Sequence, residues 1–280
     1  MAGIVKTAVS ILRAPGNAIA FRLRSRLRWS KGVAALPHED KGERLGWLTC
    51  EGHARAQDLE ARFDLAALRQ RSSRLVFAEN LALLDSLSRL LEGTVLPVSE
   101  DGVLRAVDVG SGVFQYATAL QRYLAGSGTT RLRRVVLRGI EVDGHGIYRD
   151  GHSRSDHARA HAALAGDDVH FQVGDFTAVR LPEQDLVTMW FPFVTRYSLL
   201  QWGLPLSLFA PRELFQRAAQ IVRPGGLLVV ASQTEIEALA VERLVQELPF
   251  THVTSASLAT DLVPYGERTL GRLGAVYRRN

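Results

Sequence analysis

Arg105-Ala-Val-Asp-Val-Gly-Ser-Gly-Val113 is the stretch from which the rest of the chain can be read. Ala106, Val107 and Val109 form an apolar run that ends in Gly110-Ser111-Gly112, and a helix is predicted to start at once, from Val113 to Leu124. Strand, tight glycine turn and helix start together make a place where a ligand can approach bare backbone and meet unpaired N–H groups. The pattern then recurs. A second strand, Arg134 to Val142, ends around Glu141 and Asp143, and a third, Val169 to Val173, ends in Gly174-Asp175-Phe176. A fourth, Asp185 to Trp190, runs into Phe191-Pro192-Phe193. An acid at or near the end of each of the first three strands points to a ligand rather than to packing.

Further along, Glu213 to Val222 reads as a helix, Arg223-Pro224-Gly225-Gly226 as a turn and Leu227 to Ala231 as a buried strand. Glu235 to Leu248 is helical, and Thr251 to Leu258 and Leu273 to Arg278 read as two final strands. Such alternation predicts a mostly parallel sheet with helices on both faces. Ligands of these sheets bind beyond the carboxyl ends of the strands.

The 280 residues allow one large domain with a smaller attachment. Hydrophobic content of 46% and charged content of 22% are those of an ordinary globular protein. The one cysteine, Cys50, excludes an intramolecular disulfide and a Cys-rich metal site, and it fits a reducing, cytoplasmic setting. The net charge of +5 is unevenly placed, because residues 1–45 hold nine Lys and Arg against three acids. The body is therefore close to neutral, which disfavours nucleic acid as a substrate.

Three regions follow: a basic N-terminal arm (1–45), a helical extension or cap (46–98) and the α/β domain (99–280). In the arm, Ile4, Val5, Ala8, Ile11 and Leu12 share a helical face until Pro15-Gly16-Asn17 interrupts it. Arg22, Arg24, Arg26 and Arg28 then alternate with Leu23, Ser25 and Leu27. The arm is either a docking element for a membrane surface, an acidic partner or nucleic acid, or a solvated tail whose apolar residues pack on the body. The extension, Gln57 to Leu91, has Leu and Phe at helical spacing and a predicted break near Arg71-Ser72-Ser73. It suits packing against the sheet, with one helix near a pocket mouth.

Val107-Asp-Val-Gly-Ser-Gly112, Gly139-Ile-Glu-Val-Asp143, Gly174-Asp-Phe176, Asp185-Leu-Val187 and Val222-Arg-Pro-Gly-Gly-Leu-Leu-Val-Val230, in that order, resemble the class I S-adenosylmethionine-dependent methyltransferases. The resemblance covers about residues 103–280. It implies a Rossmann-like seven-stranded methyltransferase sheet whose last strand is antiparallel, with S-adenosylmethionine as cofactor and S-adenosylhomocysteine as product. It also implies roles. Asp108 would lie under the methionine part of the cofactor and order the glycine loop. Gly110, Ser111 and Gly112 would let the backbone come close. Glu141 would accept from both ribose hydroxyls, and Asp175 would meet the adenine amino group, with Phe176 near the ring face. Two features depart from the pattern: Phe114 stands where a third glycine is common, and Gly126 to Arg133 reads as a surface insertion that lengthens the step to Glu141.

The fourth-strand end, Trp190-Phe191-Pro192-Phe193, offers no carboxamide or carboxylate to hold an amine. A small-molecule methyl acceptor is expected. No catalytic residue follows from the sequence, although His145 or Tyr148 could serve as a base. His145, His152, His157 and His161 lack a metal-protease pattern, and no metal is expected from them. A nicotinamide enzyme is disfavoured by Gln115, where its fingerprint needs glycine. An aminopropyltransferase would need acids near the fourth strand. A non-catalytic scaffold with the arm as its working surface remains the alternative.

Overall fold

The computed structural model describes residues 2–39, 45–97, 99, 101–126 and 133–280, with side chains of the first helix from Arg13 onward. Lys41 and Arg44 of the arm, and residues 127–132 of the expected insertion, lie outside the described residues. In chain order the elements are α1 (Ala2–Leu27), α2 (Cys50–Arg62), α3 (Ala66–Gln70), α4 (Arg74–Leu90), β1 (Val103–Val109), α5 (Ala117–Ala125), β2 (Arg134–Glu141) and α6 (Arg154–Ala165). There follow β3 (Val169–Val173), β4 (Gln184–Trp190), α7 (Arg196–Gln201), α8 (Pro211–Ile221), β5 (Val222–Ser232), α9 (Glu235–Gln246), β6 (Phe250–Ser257) and β7 (Leu273–Arg279).

The strands form one seven-stranded sheet in the order β3-β2-β1-β4-β5-β7-β6. β1 to β5 are parallel, and β7 enters antiparallel between β5 and β6, as expected. The order reverses at β1, between β2 and β4, so the carboxyl ends of β1, β2 and β4 flank the switch point where such sheets bind ligands. Continuous burial along β4 reflects a strand covered on both faces. One face carries Leu87, Leu90 and Leu104 with α5 and α6; the other carries Val187, Met189 and Phe215 with α8 and α9. A third cluster unites α2, α3 and α4 with Ala119 of α5 and with Leu262 and Val263 after β6, while Leu87 and Leu90 of α4 reach the sheet itself. The predicted break at Arg71-Ser72-Ser73 is where α3 gives way to α4, capped by the Ser73 hydroxyl on Val76 N–H.

Three expectations are corrected. Arg223-Pro224-Gly225-Gly226 is not a separate turn but an irregularity within β5: the pairing of Gln184 with Val222 resumes at Leu186 with Leu227. α5 begins at Ala117, four residues later than predicted. Gly110, Gly112 and Phe114 all have positive φ (75°, 57° and 54°), and left-handed backbone cannot continue a helix. α1 does not stop at Pro15 but runs through it to Leu27. A helical proline loses one donor, and the turn after it is held from outside by Asn17, whose amide donates to the carbonyls of Leu200 and Leu204.

Candidate active site

A cleft opens at the carboxyl ends of β1, β2, β3 and β4. Gly110, Glu141, Asp175 and Phe176, from the ends of three strands, line it. Asp108, Ser111 and Gly112 are not among its lining residues. Trp190, Phe191, Pro192 and Phe193 form one wall, and α7 with the segment after it supplies Leu199, Trp202, Leu204 and Leu208. The first wall belongs to the fourth-strand end singled out in the sequence, whereas α7 has no motif and only the chain path brings it there.

The glycine loop is tied to the next strand by its own amides. Gly110 and Ser111 N–H both donate to the Ile140 carbonyl (2.8 and 3.2 Å), and Gly112 N–H donates to Glu141 Oε2 at 2.9 Å. Glu141 Oε1 accepts from Asp143 N–H at 2.8 Å, and the residue is buried. Each carboxylate oxygen can accept two hydrogen bonds, so both keep one acceptor position for a ligand hydroxyl. The loop also explains the missing third glycine. Phe114 takes up the left-handed backbone itself, and its ring fills the space over Gly139, where a Cβ would lie 2.9 Å from the ring carbons and from Ser111 Oγ.

Asp108 is fully buried at the end of β1. It accepts from Thr188 Oγ1 at 2.6 Å and from Tyr116 Oη at 2.7 Å. Burial pushes its carboxyl up to about 7; the two hydroxyl bonds oppose that shift and the nearby Glu141 charge adds to it. Tyr116 is the N-cap residue of α5, so Asp108 anchors the far end of the loop rather than facing the cleft. Asp175 is exposed at the end of β3, where Oδ1 accepts from Thr177 N–H (2.9 Å) and Thr177 Oγ1 (2.8 Å), capping a short turn. Phe176 is mostly core, packed with Val107 and Ile140, and reaches the cleft. Asp185, the other acid of the strand pattern, has a structural role at the start of β4. It takes Arg223 Nε at 2.6 Å, Ser99 Oγ and the amide of Arg105.

The arm meets the site at Asp143. Arg24 donates to Asp143 through Nε (2.5 Å) and Nη2 (3.1 Å), and to the Gly203 carbonyl after α7. Arg154, at the start of α6, lies 3.3 Å from Asp143 and 3.6 Å from Glu141, with its guanidinium over the Trp202 ring. Two arginines thus balance two buried acids at the tip of β2. Beyond Leu27 the chain straps onto the β2–α6 connection. Trp29 Nε1 donates to the Gly151 carbonyl, and Ser30 and the Lys31 amide bind the Asp156 carboxylate. Burial raises the pKa of Asp156, but its bonds from Ser30, Ser153 and Lys31 outweigh that and hold it at about 2.

Of the four histidines after β2, His161 is buried and its pKa is pushed down to about 4, with the neighbouring His157 adding to the effect. His152 and His157 lie 3.3 and 3.1 Å from Asp150, forming among the described residues one group whose donor atoms are within metal-ligand range of each other. Neither His145 nor Tyr148 lines the cleft.

No family model matches the chain, and no curated protein matches it. Among solved structures it is similar to magnesium protoporphyrin IX methyltransferase from Synechocystis PCC 6803 with bound S-adenosylmethionine, at 12% identity and a TM-score of 0.47, covering 83% of this chain and 98% of that one. The N-methyltransferase NodS from Bradyrhizobium japonicum WM9 with S-adenosylhomocysteine gives 14% identity and 0.46, covering 80% and 98%. A methyltransferase from Aquifex aeolicus gives 14% and 0.45, covering 71% and 92%. The strand order with its antiparallel seventh strand is decisive for the architecture. It is the seven-stranded sheet that the resemblance in the sequence implies. Within that fold, the cleft lies where the sheet order reverses.

Proposed function

We propose that the protein transfers a methyl group from S-adenosylmethionine to a small acceptor with an apolar portion. The observation that carries this reading is the convergence of Gly110, Glu141, Asp175 and Phe176 on one cleft at the switch point. The donor set suits the cofactor: two carboxylates to take hydroxyl and amino protons, close backbone at a left-handed glycine, and aromatic side chains beside them. When bound, the cofactor supplies a methyl group already activated by a sulfonium.

The chain's own contribution is orientation. Glu141, through the acceptor positions it retains, and Asp175 would hold the cofactor from the tips of the adjacent strands β2 and β3. Trp190, Phe191, Phe193 and Trp202 exclude water and present ring faces, which favour a positive charge. Phe191 has a φ of 60°, strained for a bulky residue, and is held there by its amide bond to the Ala231 carbonyl and by Arg272, whose guanidinium lies 4.9 Å from the ring centre. Alignment of two reactants can lower a barrier by about 7–11 kcal/mol. Besides Glu141 and Asp175, the polar side chains lining the cleft among the described residues are Thr177, Ser207 and Gln233, a lining that suits an acceptor able to attack without first giving up a proton.

Calorimetric titration with S-adenosylmethionine and S-adenosylhomocysteine, with NAD as control, tests the reading. Asp175→Ala is the cleaner variant because its carboxylate is exposed and caps only a turn. Glu141→Ala also strands two backbone amides, so its unfolding is measured alongside. Each is expected to weaken binding by about 1–3 kcal/mol. Absence of binding to either sulfur compound by folded protein would overturn the assignment and favour the non-catalytic scaffold.

A further inference from the structure

We propose that the outer face of α1 docks on an anionic lipid bilayer. From Arg13 onward the helix grips the body largely through polar groups and leaves its larger aliphatic side chains outside. Its inner side uses polar groups: Arg13 bonds Gln201, Asn17 bonds two carbonyls of the α7 region, and Arg24 bonds Asp143 and Gly203. Its outer side presents Ile19, Leu23 and Leu27 at successive turns, 63%, 57% and 74% exposed. Trp29, just beyond the helix, is 49% exposed although its indole N–H is tied to Gly151. An apolar stripe in water is a cost unless something covers it.

The charge selects the cover. Residues 1–38 hold seven Lys and Arg and no acid. Arg24 is spent on Asp143, whereas Arg22, Arg26 and Arg28 are exposed and form no ion pair among the described residues. Leucine and isoleucine bordered by arginine, with a tryptophan at the end, is the composition of a helix lying in the headgroup region of a negative membrane. A second copy would bring the same cations face to face, and like charges repel. No helix among the described residues is long and apolar enough to cross a membrane, so the contact is to the surface. Because α1 lies along α7, and Leu199, Trp202 and Leu204 of that region wall the cleft, the bilayer would sit beside the cleft's second wall.

Sedimentation of the full-length protein with vesicles of equal parts phosphatidylcholine and phosphatidylglycerol tests this. Binding is expected to the mixed vesicles, to fall with added salt, and to be at least tenfold weaker to phosphatidylcholine alone. The triple variant Ile19→Asp/Leu23→Asp/Leu27→Asp should lose at least tenfold. Arg22→Gln/Arg26→Gln should lose about thirtyfold on mixed vesicles. All five positions are exposed, and unchanged thermal unfolding verifies the fold of each variant. Failure of the intact protein to sediment, or equal sedimentation of the triple variant, would overturn the proposal. So would self-association that the triple variant abolishes, which would assign the face to a second copy. Sedimentation reads lipid alone, so its failure and a failure of cofactor binding remain distinguishable.

Discussion

Restoring the third glycine, Phe114→Gly, should destabilise the protein even though Phe114 sits at a φ of 54°. The ring is fully buried, 5.9 Å from Tyr116 edge to face and 6.5 Å from Phe171, and it fills the space over Gly139. Deleting a buried phenylalanine ring costs about 3–5 kcal/mol. Removing left-handed strain returns about 1–2 kcal/mol, so the net loss is about 1–4 kcal/mol. Phe114→Ala loses the same ring and keeps the strain. Glycine should therefore be the more stable replacement by about 1 kcal/mol, the reverse of the usual order in ordered backbone. Denaturant unfolding of the three proteins at one pH measures both differences. If Phe114→Gly matched or exceeded the parent, the ring would not be holding the loop. If alanine were better than glycine, the backbone at this position would not be left-handed. Either result would refute the account of why the chain departs from the three-glycine pattern.

Asp108 supplies a pH prediction. Its carboxyl sits at about 7 when folded, against about 3.9 unfolded. Between those values the folded chain holds a proton that the unfolded chain has released, so this contribution is full below about pH 4 and is lost as pH rises through 7. The difference is about 4 kcal/mol at most, and Asp108→Asn should flatten the fall in stability between pH 5 and 8; an unchanged slope would contradict the burial argument. Gly139→Ala should cost about 1–3 kcal/mol by driving a Cβ into the Phe114 ring, and much of that should be recovered when combined with Phe114→Ala, as a double-mutant cycle would reveal. Arg24→Ala removes two bonds to Asp143 and one to Gly203. It should cost about 2 kcal/mol and speed tryptic cleavage within α1, whereas an unaltered cleavage rate would mean that other contacts hold the helix.

Much of the architecture was legible in the chain because strands buried on both faces write themselves as short apolar runs, and β1 to β4 each end in glycine, an acid or a proline cluster. Val169–Val173 was found to the residue and the others within one or two, except β5, which begins five residues before the predicted Leu227. The resemblance likewise carried the antiparallel final strand. Errors fell where a neighbour overrides local preference. Pro15 is tolerated because Asn17 is gripped by the α7 region, and Arg223–Gly226 joins β5 because β4 pairs on either side of it.

The site divides in the same way. Which residues end the strands, and hence that Glu141 and Asp175 are available to a ligand, is a property of the local pattern. That Asp108 bonds Thr188 rather than facing the cleft, that Asp185 is an anchor for Arg223, and that α7 builds the second wall depend on contacts between residues tens of positions apart. The arm makes the point most sharply. Its helical periodicity places Ile19, Leu23 and Leu27 on one face, but periodicity cannot say whether that face turns inward. The inner surface available to α1 offers Asp143 and the carbonyls of Leu200, Gly203 and Leu204, which are acceptors, so the polar side docks and the apolar side is left to solvent.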